Sequence, residues 1–109
     1  MPDEMEQLVF AALGDATRRK ILQMLADGNS RRVSEIASDF QMSRQAVTKH
    51  LNILAEAGIT ETHWNGRERL TRTHSEALTP LRAWVTKYDA FWTDKLNVLK
   101  RNAEQDAKS

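Results

Sequence analysis

Apolar residues recur along this 109-residue chain at helical spacing, and most such runs end at a glycine. Gly14, Gly28 and Gly58 each follow a run of this kind, at the point where a helix stops on a residue in the left-handed conformation. Asp15 and Ser43 precede two of the runs and are typical helix N-caps. The predicted helices cover about residues 3–13, 16–27, 34–40 and 43–57.

After the fourth helix the pattern changes to two short extended segments, about residues 59–64 and 67–73. Asn65-Gly66 lies between them and is typical of a two-residue hairpin turn in which both central residues take a positive φ. A long amphipathic helix then begins at Pro80, which is tolerated at the first helical position, and ends near Asn102. The sequence therefore predicts a mainly α domain with a small β-hairpin, in the order α-α-α-α-β-β-α.

The third and fourth predicted helices carry the most specific signal. Two short helices joined by a tight turn, over about residues 34–57, are typical of a helix-turn-helix, whose second helix enters the major groove of DNA. In that helix Val47, Leu51 and Leu54 form the buried stripe. The opposite face carries cations, amides and hydroxyls without acids, and such groups bind base edges and phosphates. The predicted DNA-binding residues of this helix are Ser43, Arg44, Gln45, Thr48, Lys49 and Asn52.

The predicted hairpin, about residues 59–73, is basic near its turn. Arg67, Arg69 and Arg72 surround a small tip at residues 64–67 with Glu68 as the only acid, so the hairpin is interpreted as a wing that contacts the DNA backbone or minor groove. A basic hairpin directly after the fourth helix also disfavours the alternative in which the polar face of that helix is only a solvated surface. Two alternatives stay open: the arginines only protect a strand edge, or Arg67 stacks on Trp64 across the turn.

The first and last predicted helices carry more apolar side chains than one small core can bury. Exposed together, they would form too large an apolar patch for a soluble monomer. A homodimer would cover them and would present two recognition helices to one turn of DNA. The alternative is that the chain covers the patch itself. The predicted dimer-interface residues are Leu8, Val9, Leu13, Trp84, Tyr88, Phe91, Trp92 and Leu99.

Composition narrows the class of protein. Lys plus Arg number 16 and Asp plus Glu 15, a net charge of +1, so any nucleic-acid surface must come from local sorting of charge. The chain has no cysteine and only three unpaired histidines, so no metal site, cofactor or catalytic residue is predicted. No apolar run approaches the ~20 residues that span a bilayer. A soluble, cytoplasmic protein without a membrane partner is therefore expected. Whether the basic triplet at residues 18–20 touches phosphate stays open.

Three stretches resemble the ArsR/SmtB-type winged-helix repressors. Residues 13–22 are similar to the family's opening motif, residues 43–58 to its recognition helix, and residues 66–69 to its wing tip. The resemblance implies a homodimeric bacterial repressor that binds a palindromic operator in double-stranded DNA at its own or a neighbouring promoter. It assigns the DNA contacts to Ser43, Arg44, Gln45, Thr48 and Lys49, with Arg67 and Arg69 in the wing.

One departure from that family concerns its metal sensors. Such members carry Cys-x-Cys before the recognition helix or Asp and His ligands in the last helix, whereas residues 33–37 here are VSEIA and the last helix has no histidine. The chain resembles the metal-free branch, and its inducer is unknown. Two other functions stay open: a winged-helix protein-interaction module that uses the aromatic last helix, and a repressor that binds a small molecule at the dimer interface.

Overall fold

The computed structural model describes residues 3–74 and 76–108, without the side chains of Asp3 and Lys108. This part of the chain forms a winged helix-turn-helix, as predicted, with one strand more than the sequence indicated. The elements are α1 Asp3–Leu13, α2 Ala16–Met24, β1 Arg31–Arg32, α3 Val33–Asp39, α4 Arg44–Glu56, β2 Thr60–Asn65, β3 Glu68–Thr73 and α5 Thr79–Lys108.

Both predicted N-caps are present. The carboxylate of Asp15 accepts a hydrogen bond from the Arg18 N–H at 3.0 Å, and the hydroxyl of Ser43 accepts one from the Ala46 N–H at 3.1 Å. Each bond satisfies a donor that the first turn of a helix leaves free. The start of α4, which carries the predicted DNA contacts, is thereby fixed by its own sequence.

The glycines that end the helices behave differently from one another. Gly28 and Gly58 have φ values of +79° and +73°, as predicted. Gly14 has no positive φ, so the predicted left-handed conformation there is wrong. Its N–H bonds to Ala11 O at 3.2 Å in a tight turn that leads directly into α2. Helix α2 also ends three residues early, because residues 25–27 form a turn before Gly28.

The core lies where α1 to α4 meet the base of the hairpin. The three apolar residues predicted to form the buried stripe of α4, Val47, Leu51 and Leu54, are all 0% exposed. They pack with buried residues of the other elements, among them Val9, Ala12, Ile21, Leu25, Ile36, Ala37 and Ile59. The helix that carries the predicted DNA contacts is therefore held along its whole inner face.

The sheet has three antiparallel strands in the order β1-β3-β2. Strand β1 pairs Arg31 with Thr71 and Arg32 with Leu70. Its two residues are too few to show alternation, and their pairing depends on where α2 and α3 direct the connection. That strand was therefore missed. Strand β1 covers β3 only at Leu70 and Thr71, so the alternative in which Arg69 and Arg72 protect a strand edge stays open.

The hairpin turn differs from the prediction by one residue. Asn65 pairs with Glu68, so the two turn residues are Gly66 and Arg67, and only Gly66 has a positive φ, +63°. A turn with glycine in its first central position needs left-handed φ at that residue alone. The predicted positive φ at Asn65 is therefore wrong, and the residue across the sheet from Trp64 is Arg69.

Helix α5 has 30 residues and continues past the predicted end near Asn102. Only its start packs on the core, through Leu81 and the preceding Leu78. At 1.5 Å per residue the helix is ~45 Å long, and every described side chain from Arg82 onward is exposed. Despite this length, no helix in the described residues is apolar enough to cross a membrane.

Candidate nucleic-acid interface

The outer face of α4 carries five of the six DNA-binding residues predicted for this segment, and the sixth, Ser43, is the N-cap of the helix. Arg44, Thr48 and Asn52 are spaced four residues apart and form a row. Thr48 is half-buried, whereas Arg44 and Asn52 are exposed. Gln45 and Lys49 follow one position later and form an adjacent exposed row. The helix therefore presents two parallel rows of hydrogen-bonding side chains to solvent.

The row that contains Arg44 faces the hairpin across an open groove of about 430 Å³. We call this the basic groove. Its lining residues are Arg32, Val33, Ser34, Arg44, Thr48, Trp64, Arg67, Glu68 and Arg69. The structure therefore brings together predicted contacts from two separate segments, α4 and the wing. Ser43, Gln45, Lys49 and Asn52 lie outside the groove lining.

Positive charge predominates in the basic groove. Its one acid, Glu68, pairs with Arg32 at 3.3 Å, and Arg32 also lies 3.6 Å from Glu35. Within residues 3–74 and 76–108, neither Arg44 nor Arg67 forms an ion pair. Two guanidinium groups therefore face solvent with their charge unbalanced, and such groups bind phosphate and base edges.

A contact between Arg69 and Asn52 joins the wing to α4. The Arg69 Nη2 donates to Asn52 Oδ1 at 3.5 Å, at the long limit of a hydrogen bond. Trp64, opposite Arg69 on the neighbouring strand, is 68% exposed. The only cation–π contacts in the described residues are on α5, so the alternative in which Arg67 stacks on Trp64 is not supported.

Arg72, the third arginine of the hairpin, has a different role. It donates to the Glu61 carboxylate, its cross-strand neighbour, and the two form an ion pair. This hydrogen bond and the guanidinium charge lower the pKa of Glu61 below its ordinary value. Because the charge of Arg72 is balanced within the hairpin, it adds little to the positive field at the tip.

Two arginines of the basic triplet at residues 18–20 bond to the end of α1. Arg18 donates to Ala12 O at 2.6 Å and to Ala11 O at 3.1 Å, and Arg19 donates to Leu13 O at 2.7 Å. Carbonyls in the last turn of a helix lack intrahelical partners, and these side chains supply them. The structure thus gives both side chains a role in helix capping, apart from any contact with phosphate.

Arg18 also contacts α4, the helix that carries the predicted DNA contacts. Arg18 Nη1 lies 3.5 Å from His50 Nδ1, and Asp15 Oδ2 lies 3.9 Å from the same ring nitrogen. One half-buried cluster thus links the end of α1, the N-cap of α2 and the middle of α4.

Sequence reasoning missed two groove residues. Arg32 was overlooked because β1 was not predicted, although its basic pair directly before α3 was a visible signal. The sequence indicates Trp64 only as a stacking partner of Arg67, yet Trp64 lines the groove with most of its surface exposed. In the described residues, no three His, Cys, Asp or Glu side chains come close enough to hold a metal ion.

This arrangement defines a class of protein: a winged helix-turn-helix with a basic groove between its recognition helix and its wing. Residues 15–62 match the family model described as the bacterial regulatory protein, arsR family. The chain belongs to the ArsR family and is a DNA-binding transcriptional regulator.

Two curated relatives come from Bacillus subtilis strain 168. The uncharacterized HTH-type transcriptional regulator YuzN is 34% identical over 84 residues, which cover 71% of this chain and 91% of that protein. The transcriptional repressor SdpR is 41% identical over 59 residues, 54% of this chain and 64% of that protein. The similarity to YuzN covers most of both chains, whereas that to SdpR is shorter.

Solved structures resemble the fold closely. An ArsR-like transcriptional regulator from Rhodococcus sp. RHA1 is 35% identical, with a TM-score of 0.76 and coverage of 94% of this chain and 93% of that one. A homodimeric winged helix-turn-helix DNA-binding domain from Mycobacterium bovis, described as a possible ArsR-family regulator, is 26% identical, with a TM-score of 0.64 and 80% of each chain covered.

Proposed function

We propose that the protein is a homodimeric repressor that binds a twofold-symmetric operator in double-stranded DNA, in the bacterial cytoplasm. The observation that carries this proposal is the basic groove, which is lined by Arg44 of α4 and Arg67 of the wing, both with unbalanced charge. Helix α4 enters the major groove, and the hairpin follows the neighbouring backbone or minor groove.

The two rows on α4 divide the contacts by chemistry. The guanidinium of Arg44 matches the acceptor pair on guanine, and the amides of Gln45 and Asn52 match the donor and acceptor of adenine. Lys49 and Ser43 reach phosphates, where the free N–H groups at the start of α4 add positive potential. Since the Ser43 oxygen already accepts the capping hydrogen bond, its hydroxyl proton is the part available to a phosphate.

Arg67 and Arg69 supply the wing contact. Arg67 is exposed at the turn and unpaired in the described structure, so it contacts the phosphate backbone or the minor groove. Arg69 bonds to the neutral amide of Asn52 and keeps its full charge while it holds the wing against α4. The wing therefore strengthens binding to any duplex, and α4 supplies the preference for sequence.

The homodimer rests on the apolar face of α5. Trp84, Tyr88, Phe91, Trp92 and Leu99 are 37%, 37%, 49%, 57% and 61% exposed, and the chain covers none of them fully. Leu8 of α1, 43% exposed, extends the same kind of surface. An apolar surface of this extent marks a protein interface, and a twofold mate covers it with a copy of itself.

Two of the predicted interface residues need correction. Val9 is 1% exposed and belongs to the chain's own core, so it has no surface to offer a partner. Leu13 packs partly against that core. The proposed interface therefore omits Val9, keeps Leu13 only through its exposed part, gains Met5, which is 46% exposed, and is otherwise formed by Leu8 and the predicted α5 residues.

The aromatic side chains of this face already contact one another in the single chain. Ring centroids lie 5.0 Å apart for Phe10 and Trp84, and 4.5 Å apart for Trp84 and Tyr88. The row continues from Tyr88 to Phe91 at 6.4 Å and from Phe91 to Trp92 at 5.6 Å. Contacts of this kind restrict the rotamers of the free chain, so association orders fewer side chains.

Repression is supported by the similarity to SdpR, a transcriptional repressor, over 59 residues. A small dimer bound at one turn of a promoter blocks access to that stretch of DNA.

A cavity of about 430 Å³ between α1 and α5, lined by Glu6, Gln7, Phe10 and Trp84, lies on the proposed dimer face. We propose that the second chain of the dimer, rather than a small molecule, fills this cavity.

DNA footprinting tests the proposal. The probe is the duplex upstream of the protein's own gene, with a random duplex of equal length beside it, at two salt concentrations. We expect a protected region with twofold symmetry, half-sites one helical turn apart, and tighter binding to the upstream DNA. The Arg101→Ala variant, which removes a cation from the far end of α5, is the control and should protect the same bases.

Two results would overturn the proposal. Equal binding to both duplexes that high salt abolishes would show only non-specific attraction. No binding by the folded protein at low salt would instead favour the protein-interaction module. Sedimentation of the same sample decides the oligomeric part, because a monomer at micromolar concentration is incompatible with a stable α5 interface.

A further inference from the structure

A second cavity lies away from the basic groove. It is an open cleft of about 420 Å³ that is bordered by the end of α2, the end of β3 and the start of α5. Leu22, Ala26 and Leu78 line it, and its surface is mostly apolar. Cavities of roughly 300–1,000 Å³ with apolar walls and a few polar groups are typical of small-molecule sites. We call it the α2–α5 pocket.

Two polar groups at the α2–α5 pocket are already bonded within the chain. The Asp27 carboxylate accepts from the Asn29 N–H at 2.9 Å and pairs with Arg31 at 2.8 Å. The Thr73 hydroxyl donates to Ile59 O at 2.7 Å. Neither residue needs a ligand to satisfy its main hydrogen-bonding group.

The two remaining polar groups are cationic or can donate hydrogen bonds. Arg82, on the first turn of α5, and His74, at the end of β3, line the pocket and are exposed. In the part of the chain that the structure describes, neither side chain has an ion pair or a hydrogen-bonded partner. The guanidinium fork of Arg82 matches a carboxylate, which it binds through two parallel hydrogen bonds.

We propose that the α2–α5 pocket binds a small carboxylate with a short apolar body. The apolar part packs on Leu22, Ala26 and Leu78, and the carboxylate pairs with Arg82. Charge complementarity with Arg82 selects this class over a neutral molecule, which leaves the guanidinium unpaired, and over an amine, which the guanidinium repels while the Asp27 carboxylate is already paired with Arg31.

The location of the pocket couples it to DNA binding, a step that rests on the proposed function. Its wall joins β3, which belongs to the wing, to α5, which carries the proposed dimer face. A ligand that holds both elements biases the angle between them, and in a dimer that angle sets the spacing of the two recognition helices. Occupancy therefore changes the affinity for a two-half-site operator.

Isothermal titration with hexanoate tests the site without any DNA. The matched probes are 1-hexanol and hexylamine, which keep the apolar body and change the head group. We expect hexanoate to bind the full-length protein, with no binding of hexylamine and weaker binding of hexanol. Arg82→Gln should weaken hexanoate at least about tenfold. Arg101→Gln, further along the same helix, should bind hexanoate like the unaltered protein.

A second variant guards against a folding defect in Arg82→Gln. Ala26→Phe fills the pocket from an exposed position and leaves Arg82 in place. We expect it to melt like the unaltered protein and to bind no hexanoate. The proposal is overturned if hexanoate does not bind at millimolar concentration, or if it binds equally well to folded Arg82→Gln or Ala26→Phe protein.

The coupling is tested by DNA titration with saturating hexanoate against an equal concentration of chloride. We expect the dissociation constant for the operator to change at least about threefold, and not to change in Ala26→Phe. Hexanoate binding with unchanged DNA affinity would overturn the coupling. A protein that binds no DNA even without hexanoate would instead contradict the proposed function, and the calorimetric result would still decide the pocket.

Discussion

The basic groove and the apolar face of α5 are both open to solvent, but they lack different kinds of neighbour. In the groove Arg44 and Arg67 have no carboxylate partner in the described structure, so these two cations lack an anionic partner. On α5 aromatic and aliphatic side chains are 37% to 61% exposed, so that surface lacks apolar cover. The first interaction weakens as salt rises, whereas the second does not depend on ion pairs. A change in ionic strength therefore distinguishes DNA binding at the groove from association through the α5 face.

The two surfaces also differ in their support. Helix α4 is fixed from behind by Val47, Leu51 and Leu54, all fully buried, so the groove is formed in a single chain. Helix α5 leaves the core after Leu81, and its face stays exposed although Phe10 of α1 contacts Trp84 near its start. DNA should thus meet a preformed surface, whereas the α5 face is completed only by association.

The largest expected effect comes from a charge placed in the α5 face. Phe91→Glu puts a carboxylate at each of two symmetry-related positions of the proposed interface, where burial of an unpaired charge costs several kcal/mol. We expect the dimer dissociation constant to rise at least about 100-fold, measured by sedimentation velocity over a range of protein concentrations. Operator affinity should fall with it, because the two half-sites are no longer bound together.

Asn97→Glu is the matched control. Asn97 lies about 120° around α5 from Phe91 and opposite the centre of the aromatic face, so the same charge there should leave the dimer unchanged. Equal dissociation constants for Phe91→Glu and the unaltered protein would show that the aromatic face is not the interface. Salt should have little effect on the dimer in either case.

The next effect concerns the base contact in the groove. Arg44→Ala removes the guanidinium that matches guanine, and we expect operator binding to weaken by about 1–3 kcal/mol with little loss on random DNA. Competition titrations with both duplexes measure this difference. Unchanged preference for the operator in a folded Arg44→Ala protein would remove Arg44 from the base-reading residues. The dimer itself should be unaffected.

Much of this organisation could be predicted because it depends on local sequence. The caps at Asp15 and Ser43, the buried stripe of α4 and the exposed rows beside it each follow from residue types at fixed spacing. The hairpin was predicted from Asn65-Gly66, yet the register was displaced by one residue. Local turn chemistry allows both registers, and the pairing of Asn65 with Glu68 in the folded sheet selects one.

What could not be predicted depends on contacts between distant segments. Strand β1 exists because the connection from α2 to α3 passes beside β3, and no two-residue pattern indicates that. The capping role of Arg18 depends on the angle between α1 and α2. Val9 has an apolar side chain like that of Leu8, but the rotation of α1 on the core buries one and exposes the other.

A smaller effect distinguishes two arginines of the same hairpin. Arg67→Ala removes an unpaired charge at the tip, so affinity should fall by a similar factor on operator and random DNA, and the slope of log K against log salt should become shallower by about 1. Arg72→Ala is the control, because the charge of Arg72 is already balanced by Glu61, and its salt slope should change less. Equal slopes for the two variants would place the wing contact elsewhere.

The smallest expected effect concerns the N-cap of α2, Asp15, which belongs to the scaffold behind the groove and can be tested in a single chain. The Arg18 N–H bond, the main cause, holds the pKa of the Asp15 carboxyl below its ordinary value of 3.8, with the Arg18 charge adding to the effect. A lowered folded-state pKa stabilises the fold at pH values above that ordinary value, and the stabilisation is lost as the pH falls through the lower folded-state pKa.

Asp15→Asn keeps the cap but not the charge. We therefore expect it to melt slightly below the unaltered protein at neutral pH, and the two melting temperatures to converge in acid. Thermal denaturation followed by circular dichroism in the monomeric Phe91→Glu background measures this. A difference that persists unchanged to about pH 2 would show that the carboxylate charge at Asp15 does not stabilise α2.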